Sequence, residues 1–336
     1  MDTYHGRWLP YFGFIAGLHL IGITFLILAA RQYPPFWGLG FLAYTLGLRH
    51  AFDADHISAI DNTVRKLAQQ KKPSYGVGFW FSLGHSTVVL VMSLAVTISV
   101  KWSTQHMPMF QKIGGVIGTT ISGTFLLVVA AFNVLVLINL FQSLPSMKRS
   151  PNESAKMDDL LLSRGLLSRL WKPLFKVVNQ SRQMFPIGFL FGLGFDTATE
   201  ITLLALTAQS SQQNIPVYGL MALPILFTAG MNLLDTTDSI MMANAYQWAF
   251  KAPLRKLYYN IIVTTISVIA AVSIGFVELL QVIKTTFKFN GSFWSWVQEV
   301  NLNWLGFALV ALFVALWGLF YLIWKATRQR RSNTDL

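Results

Sequence analysis

The sequence predicts an all-α polytopic membrane protein of about eight transmembrane helices, and three observations predict it. Apolar runs long enough to cross a hydrocarbon core of roughly 30 Å recur along the chain, whose 336 residues are 54% hydrophobic and 12% charged. That composition, with its positive mean hydropathy, excludes an ordinary soluble domain. Lysine and arginine lie almost entirely in the connections between these runs and fall unequally on alternate connections, as topology-setting charges do. The polar exceptions inside the runs are few and clustered. They are imidazoles and carboxylates at membrane depth, where a lone charge costs about 2.5 to 3.5 kcal/mol on insertion scales.

The runs place spans at 11–30, 36–60, 77–100, 113–141, 187–208, 217–242, 260–283 and 304–324. The first is too long for the apolar region of a signal peptide and lacks a basic segment before it, so it is expected to be retained. With the amino terminus inside, one side collects Arg7, Arg65, Lys66, Lys71, Lys72, eight basic residues between Lys148 and Arg182, Lys251, Arg255, Lys256, Lys325, Arg328, Arg330 and Arg331. The other side has Arg31, Lys101, Lys112, Lys284 and Lys288. The bias of twenty against five places both termini in the cytoplasm of a multi-pass protein of the cytoplasmic membrane. Trp8, Trp37, Trp102, Trp304 and Trp324 near span ends fit an interfacial belt. The formal charge of +12 is accounted for by these loops and their anionic lipid, and gives no reason to expect a nucleic-acid partner. Cysteine is absent, leaving imidazole, carboxylate and thioether as metal ligands.

Four regions follow: an N-terminal membrane half at 1–141, a basic cytoplasmic linker at 142–186, a C-terminal membrane half at 187–324 and a tail at 325–336. In the linker, Arg164, Ser168, Lys172 and Lys176 recur opposite Leu162, Leu166, Leu167, Leu170 and Phe175. That pattern suits either a short helix on the lipid surface, interrupted by Pro173, or a solvated connection. Phe52-Asp53-Ala54 in the second span is echoed by Phe195-Asp196-Thr197 in the fifth, which crosses in the opposite direction. Two inverted-topology repeats, each a half of four spans, are compatible with this echo, and such repeats place a site between interrupted helices near the midplane.

Residues 47–61 are the stretch around which the chain is organised. On an ideal helix His50, Asp53 and His56 fall within an arc of roughly 120° and can converge on one point. Asp55 lies off that arc: it supports a ligand from behind, pairs with Arg49, or marks a place where the helix unwinds. The third span brings His85 to similar depth. The fifth carries Asp196 and Glu200 at i and i+4 with Thr197 alongside, and Gly192 and Gly194 allow close approach of a neighbour. The sixth carries Asp235 and Asp238 at i and i+3, after Pro224 and Gly230, which can interrupt the helix. Met231, Met241 and Met242 read as packing, His19 as a core histidine, and Asn133 and Glu278 as helix-packing groups. Imidazoles mixed with carboxylates favour a divalent transition metal. Six acids against Arg49 and one dication leave net negative charge, so proton release on metal binding is a consequence to expect.

Arg49-His50-Ala51-Phe52-Asp53-Ala54-Asp55-His56, with its His-x4-Asp-His spacing, resembles the signature of the nickel/cobalt transporter family of secondary permeases. Leu83-Gly84-His85-Ser86-Thr87, the stretch Leu193 to Glu200 and the stretch Gly230 to Asp238 resemble its other three motifs, in order. The resemblance implies eight spans with cytoplasmic termini and uptake of Ni²⁺ and Co²⁺ at trace concentration, with His50, Asp55 and His56 central to recognition. No permanently bound cofactor is expected, and the ion is the substrate. The expected ligands are His50 and His56 with Asp53 or Asp55. Arg49, His85, Asp196, Thr197, Glu200, Asp235 and Asp238 would complete the pathway or tune its charge. No GxxxxGK[ST] loop is present, so transport without an ATPase subunit, driven by the membrane potential, is the expected mode. Enzymatic function is not expected, because a His-box di-iron site needs many more histidines. A metal sensor, an exporter and a permease of broader divalent specificity are the alternatives; the histidine-free linker counts against export.

Overall fold

The structure, a computed structural model, describes residues 8–70, 72–149, 178–194, 198–211, 215–249, 253–300, 302, 304–315 and 318. It is helical, with no strand among the described residues. The helices are α1 (Leu9–Ala30), α2 (Phe36–His50), α3 (Ala54–Gln69), α4 (Val77–Ile98), α5 (Val100–Arg149), α6 (Met184–Gly192), α7 (Ala198–Ser211), α8 (Val217–Ala249), α9 (Pro253–Phe287) and α10 (Ser292–Glu299), followed by α11 (Trp304–Ala315). The amphipathic pattern at 162–176 lies outside the described residues, as do Trp324 and the tail.

Segments of α1, α4, α5, α8 and α9 are each long and apolar enough to cross a membrane, and α10 with α11 forms a sixth candidate, bent by 57°. The second and fifth expected spans are different: each is split, α2 from α3 and α6 from α7. The split corrects the continuous helix expected over 36–60. It also corrects the placing of Arg65 and Lys66 in a loop, since both are buried on α3. Thirteen residues of α3 are buried, among them Ser58, Asp61, Asn62 and Thr63. A helix this polar is tolerated at depth because protein, not lipid, surrounds it.

α8 is the centre of the bundle. Of its most apolar window 67% is buried, against 22% for α1, which turns Leu20 and Ile21 outward. α8 packs on α1, α2, α3 and α4. The packing is reciprocal: α8 lies on the broken pair α2/α3, α4 lies on the broken pair α6/α7, and α5 lies along α9. Glycines bring these backbones together. A Cβ at Gly47 would run into the Phe227 carbonyl, and one at Gly230 would stand 2.8 Å from the Tyr44 carbonyl oxygen; on the other side Gly84 meets the Phe185 backbone and Gly188 that of Phe81. With lipid on the outside, this close approach and its dispersion contacts replace the hydrophobic effect as the force between helices. The reciprocity runs through two sets of three spans, each a broken one followed by two continuous ones, and α1 and the α10/α11 pair stand outside it.

Polar groups read as packing behave so. His19 bonds the Ile15 carbonyl oxygen at 2.8 Å and the Tyr44 hydroxyl at 3.2 Å, and Asn133 donates to Asn62 Oδ1 at 2.6 Å. Met231 and Met242 sit in apolar clusters.

Candidate metal site between two broken helices

α2 ends in a tight turn, with Phe52 N–H donating to the Arg49 carbonyl at 3.0 Å and Asp53 N–H to the His50 carbonyl at 2.9 Å. These bonds satisfy carbonyls that a helix end would otherwise leave bare. Asp53 then takes an extended conformation (φ −64°, ψ 141°) at the N-cap of α3. α11 covers the break: Phe52 stacks on Phe307 at 4.8 Å between ring centroids, and Gly306 lies against the Phe52 carbonyl.

An N-cap carboxylate ordinarily accepts from the first turn of its helix. Asp53 makes no such bond; its Oδ2 stands 2.8 Å from His50 Nδ1. Asp55 holds the helix start instead, its Oδ1 accepting the His56 N–H at 2.9 Å. Of the three readings of Asp55, the unwound helix is the one the structure displays, because α2 and α3 part at residues 51–53 just before it. Arg49 is exposed.

His50 and His56 converge, with ring centroids 4.7 Å apart. The break, rather than a shared helical arc, brings them together. His85 from α4 completes the group at 4.8 Å from each ring. The three imidazoles are 1%, 1% and 3% exposed, and each offers a nitrogen within 4.8 Å of the others. Phe81 and Phe227 wall them in.

Carboxylates orient the rings. Asp53 Oδ2 accepts from His50 Nδ1, and Thr199 Oγ1 is 3.0 Å from the same nitrogen. Asp235 Oδ2, on α8, is 3.3 Å from His56 Nδ1. A proton held on Nδ1 by an acceptor leaves Nε2 with its lone pair, the arrangement of metal-ligating histidines. His56 Nε2 is buried and has no hydrogen-bond partner. His50 Nε2 lies 3.0 Å from His85 Nε2, and His85 Nε2 lies 2.8 Å from Glu200 Oε1 on α7. Its one N–H is thus shared between a carboxylate oxygen and an imidazole lone pair. Two ligands bonded at about 2.1 Å to one ion and at right angles to it stand about 3.0 Å apart, so His50 and His85 already have ligand-pair spacing.

The sequence-predicted residues therefore divide. His50, His56, His85, Glu200 and Asp235 meet at one buried point, and Asp53 touches it through His50. Asp238 is buried a helical turn beyond Asp235. Asp196 and Thr197 lie outside the described residues. Thr199, quoted in its motif but given no role, carried no signal apart from its place one residue before Glu200.

The profile of the high-affinity nickel-transport proteins matches residues 36–323. The chain belongs to that family. It is 52% identical over 321 residues to the nickel transporter NixA of Staphylococcus aureus, covering 96% of this chain and 95% of that one. It is 50% identical over 327 residues to the high-affinity nickel-transport protein NixA of Helicobacter pylori, covering 95% and 97%. The cobalt transport protein NhlF of Rhodococcus rhodochrous is 36% identical over 316 residues, with 91% and 88% covered. No solved structure matches the chain. Family and relatives alike are transporters and not enzymes, and the bundle of apolar helices makes this member a multi-pass membrane protein.

Proposed function

We propose that this chain takes up Ni²⁺, Co²⁺ or both across the cytoplasmic membrane as a secondary transporter that needs no nucleotide. The observation that carries the reading is the trio His50, His56 and His85, buried between two broken helices and oriented by carboxylates. The ion sheds water and binds through the Nε2 atoms of the three histidines, with Glu200 as the oxygen ligand. Asp53 and Asp235 hold the rings in the ligating tautomer, and Asp55 fixes the start of α3. Imidazole nitrogen suits nickel and cobalt and disfavours the harder manganese and magnesium ions. An inside-negative potential favours entry of a dication by about 4.6 kcal/mol per 100 mV, twice the value for one charge. That accounts for accumulation from trace concentration without ATP. The names of the relatives support both metals as cargo.

The test is uptake of labelled nickel into liposomes holding the purified protein, with and without an imposed inside-negative potential, and with cobalt, zinc and manganese as competitors. Potential-dependent accumulation blocked by cobalt and not by manganese is expected. No accumulation by folded, correctly oriented protein would overturn the reading.

A further inference from the structure

A second polar cluster lies beyond the histidines, on elements that run away from them in a common direction. α3 leaves the site after His56 and α8 leaves it after Asp235, and the segment that follows α3 is tied to α8. Tyr75, just after α3, donates its hydroxyl to Asn244 Oδ1 at 3.3 Å, and its carbonyl accepts from Ser239 Oγ at 2.9 Å. Asp61 is five residues past His56 and Asp238 three past Asp235, about 7.5 and 4.5 Å further along their helices. Asp61 is 1% exposed and Asp238 8%.

The two acids are placed differently. Asp61 Oδ2 accepts from Arg65 Nη2 at 3.1 Å and from Ser267 Oγ at 2.5 Å. Arg65, itself 1% exposed, is held to α9 by Nη1 on Thr264 Oγ1 at 2.8 Å and Nη2 on Ser267 Oγ at 2.6 Å. Asp238 is buried with neither carboxyl oxygen hydrogen-bonded, and Asp61 and Asp235 lie near enough to repel a charge on it. A buried carboxylate facing other carboxylates is costly unless a cation joins it.

We propose that Asp61 and Asp238 form a second, all-oxygen site that receives the divalent metal from the imidazole site, and that Arg65 fills it between passages. The proposal rests on the transport reading above. A site of three imidazoles holds nickel or cobalt tightly, and a tightly held ion does not leave. Passage needs a neighbouring site weak enough to release it. Carboxylate and hydroxyl oxygens bind these borderline metals less firmly than imidazole does. The dication matches the two carboxylates in charge and takes the place of the guanidinium on Asp61, while Arg65 keeps its bond to Thr264. When the ion moves on, Arg65 returns to Asp61 and closes the way back.

The test is titration of purified protein with Co²⁺, followed by visible absorption and by metal bound per chain. The unaltered protein binds one equivalent, because Arg65 competes for the second site. Arg65→Gln opens that site, so two equivalents bind, the second with the weak absorption of six-oxygen coordination. Adding Asp238→Asn to Arg65→Gln returns the count to one. A single equivalent in Arg65→Gln, or a second one that survives Asp238→Asn, overturns the proposal. Loss of the first equivalent in His56→Ala reports on the imidazole site alone, so failure there falls on the transport reading. Should Arg65→Gln not fold, nickel uptake by Asp238→Asn decides. At least a tenfold fall in maximal rate at unchanged KM is expected, and an unchanged rate or a rise in KM alone overturns the idea.

Discussion

Replacing Asp235 with asparagine isolates what a carboxylate does for a metal-binding imidazole. Asp235 is 0% exposed, and its Oδ2 stands 3.3 Å from His56 Nδ1. The asparagine carbonyl can still accept from Nδ1–H, so the ring stays in place while the charge that raises its basicity is lost. Removing such orienting partners lowers metal affinity about 10- to 100-fold, or about 1.4 to 2.7 kcal/mol. Equilibrium binding of Ni²⁺ to the purified variant should show that weakening, and uptake should show a matching rise in KM. A thermal melt establishes that the variant is folded. Affinity unchanged within about twofold would refute the orienting role. A loss well beyond 100-fold would refute it in the other direction, making Asp235 a ligand.

Other consequences follow from the same geometry. His56→Ala removes a buried ligand and should abolish nickel uptake while leaving the melting temperature close to that of the unaltered protein; near-normal uptake would overturn the site. Gly78→Ala puts a Cβ against the Asp235 carbonyl and 3.1 Å from Thr236 N, so α4 and α8 must part, with a loss of about 1 to 3 kcal/mol and weaker metal binding. Gly13→Ala, which meets nothing within 4 Å, should change neither melt nor uptake. Metal at His85 Nε2 sends the proton shared with Glu200 and His50 to Nδ1, which has no other hydrogen-bond partner. A neutral trio therefore binds the ion without releasing a proton, and binding weakens as pH falls and the imidazoles protonate; release of a full proton per ion into a weakly buffered solution would contradict the neutral trio.

Much of the fold is legible because lipid reads side chains as hydropathy does. α1, α4 and α8 start within two residues of the starts of their apolar runs. The second span is where that reading fails. Ser58, Asp61, Asn62, Thr63, Arg65 and Lys66 look like the approach to a loop, yet they are buried on α3. Hydropathy cannot distinguish a polar residue outside the membrane from one facing Thr264 and Ser267 on another helix. The convergence of His50 and His56 was legible, though for the wrong geometric reason. The pairings of His85 with Glu200 and of His56 with Asp235, 115 and 179 residues apart, have no local pattern to betray them. Depth in the membrane was their only signal.

The two breaks explain why the acids stand where they do. A helix carries about half a positive charge at its N-terminus and half a negative charge at its C-terminus. Asp53 caps α3, Asp55 lies in its first turn, and Glu200 lies in the first turn of α7. Each of these carboxylates sits at the positive end of a half-helix, which attracts negative charge. α2 and α6 end on the other side of the same breaks, each bringing a negative helix end there. An unbroken span offers neither end at mid-depth. Splitting the second and fifth spans supplies both, so a dication meets negative helix ends and helix-stabilised carboxylates where a continuous helix would present only side chains.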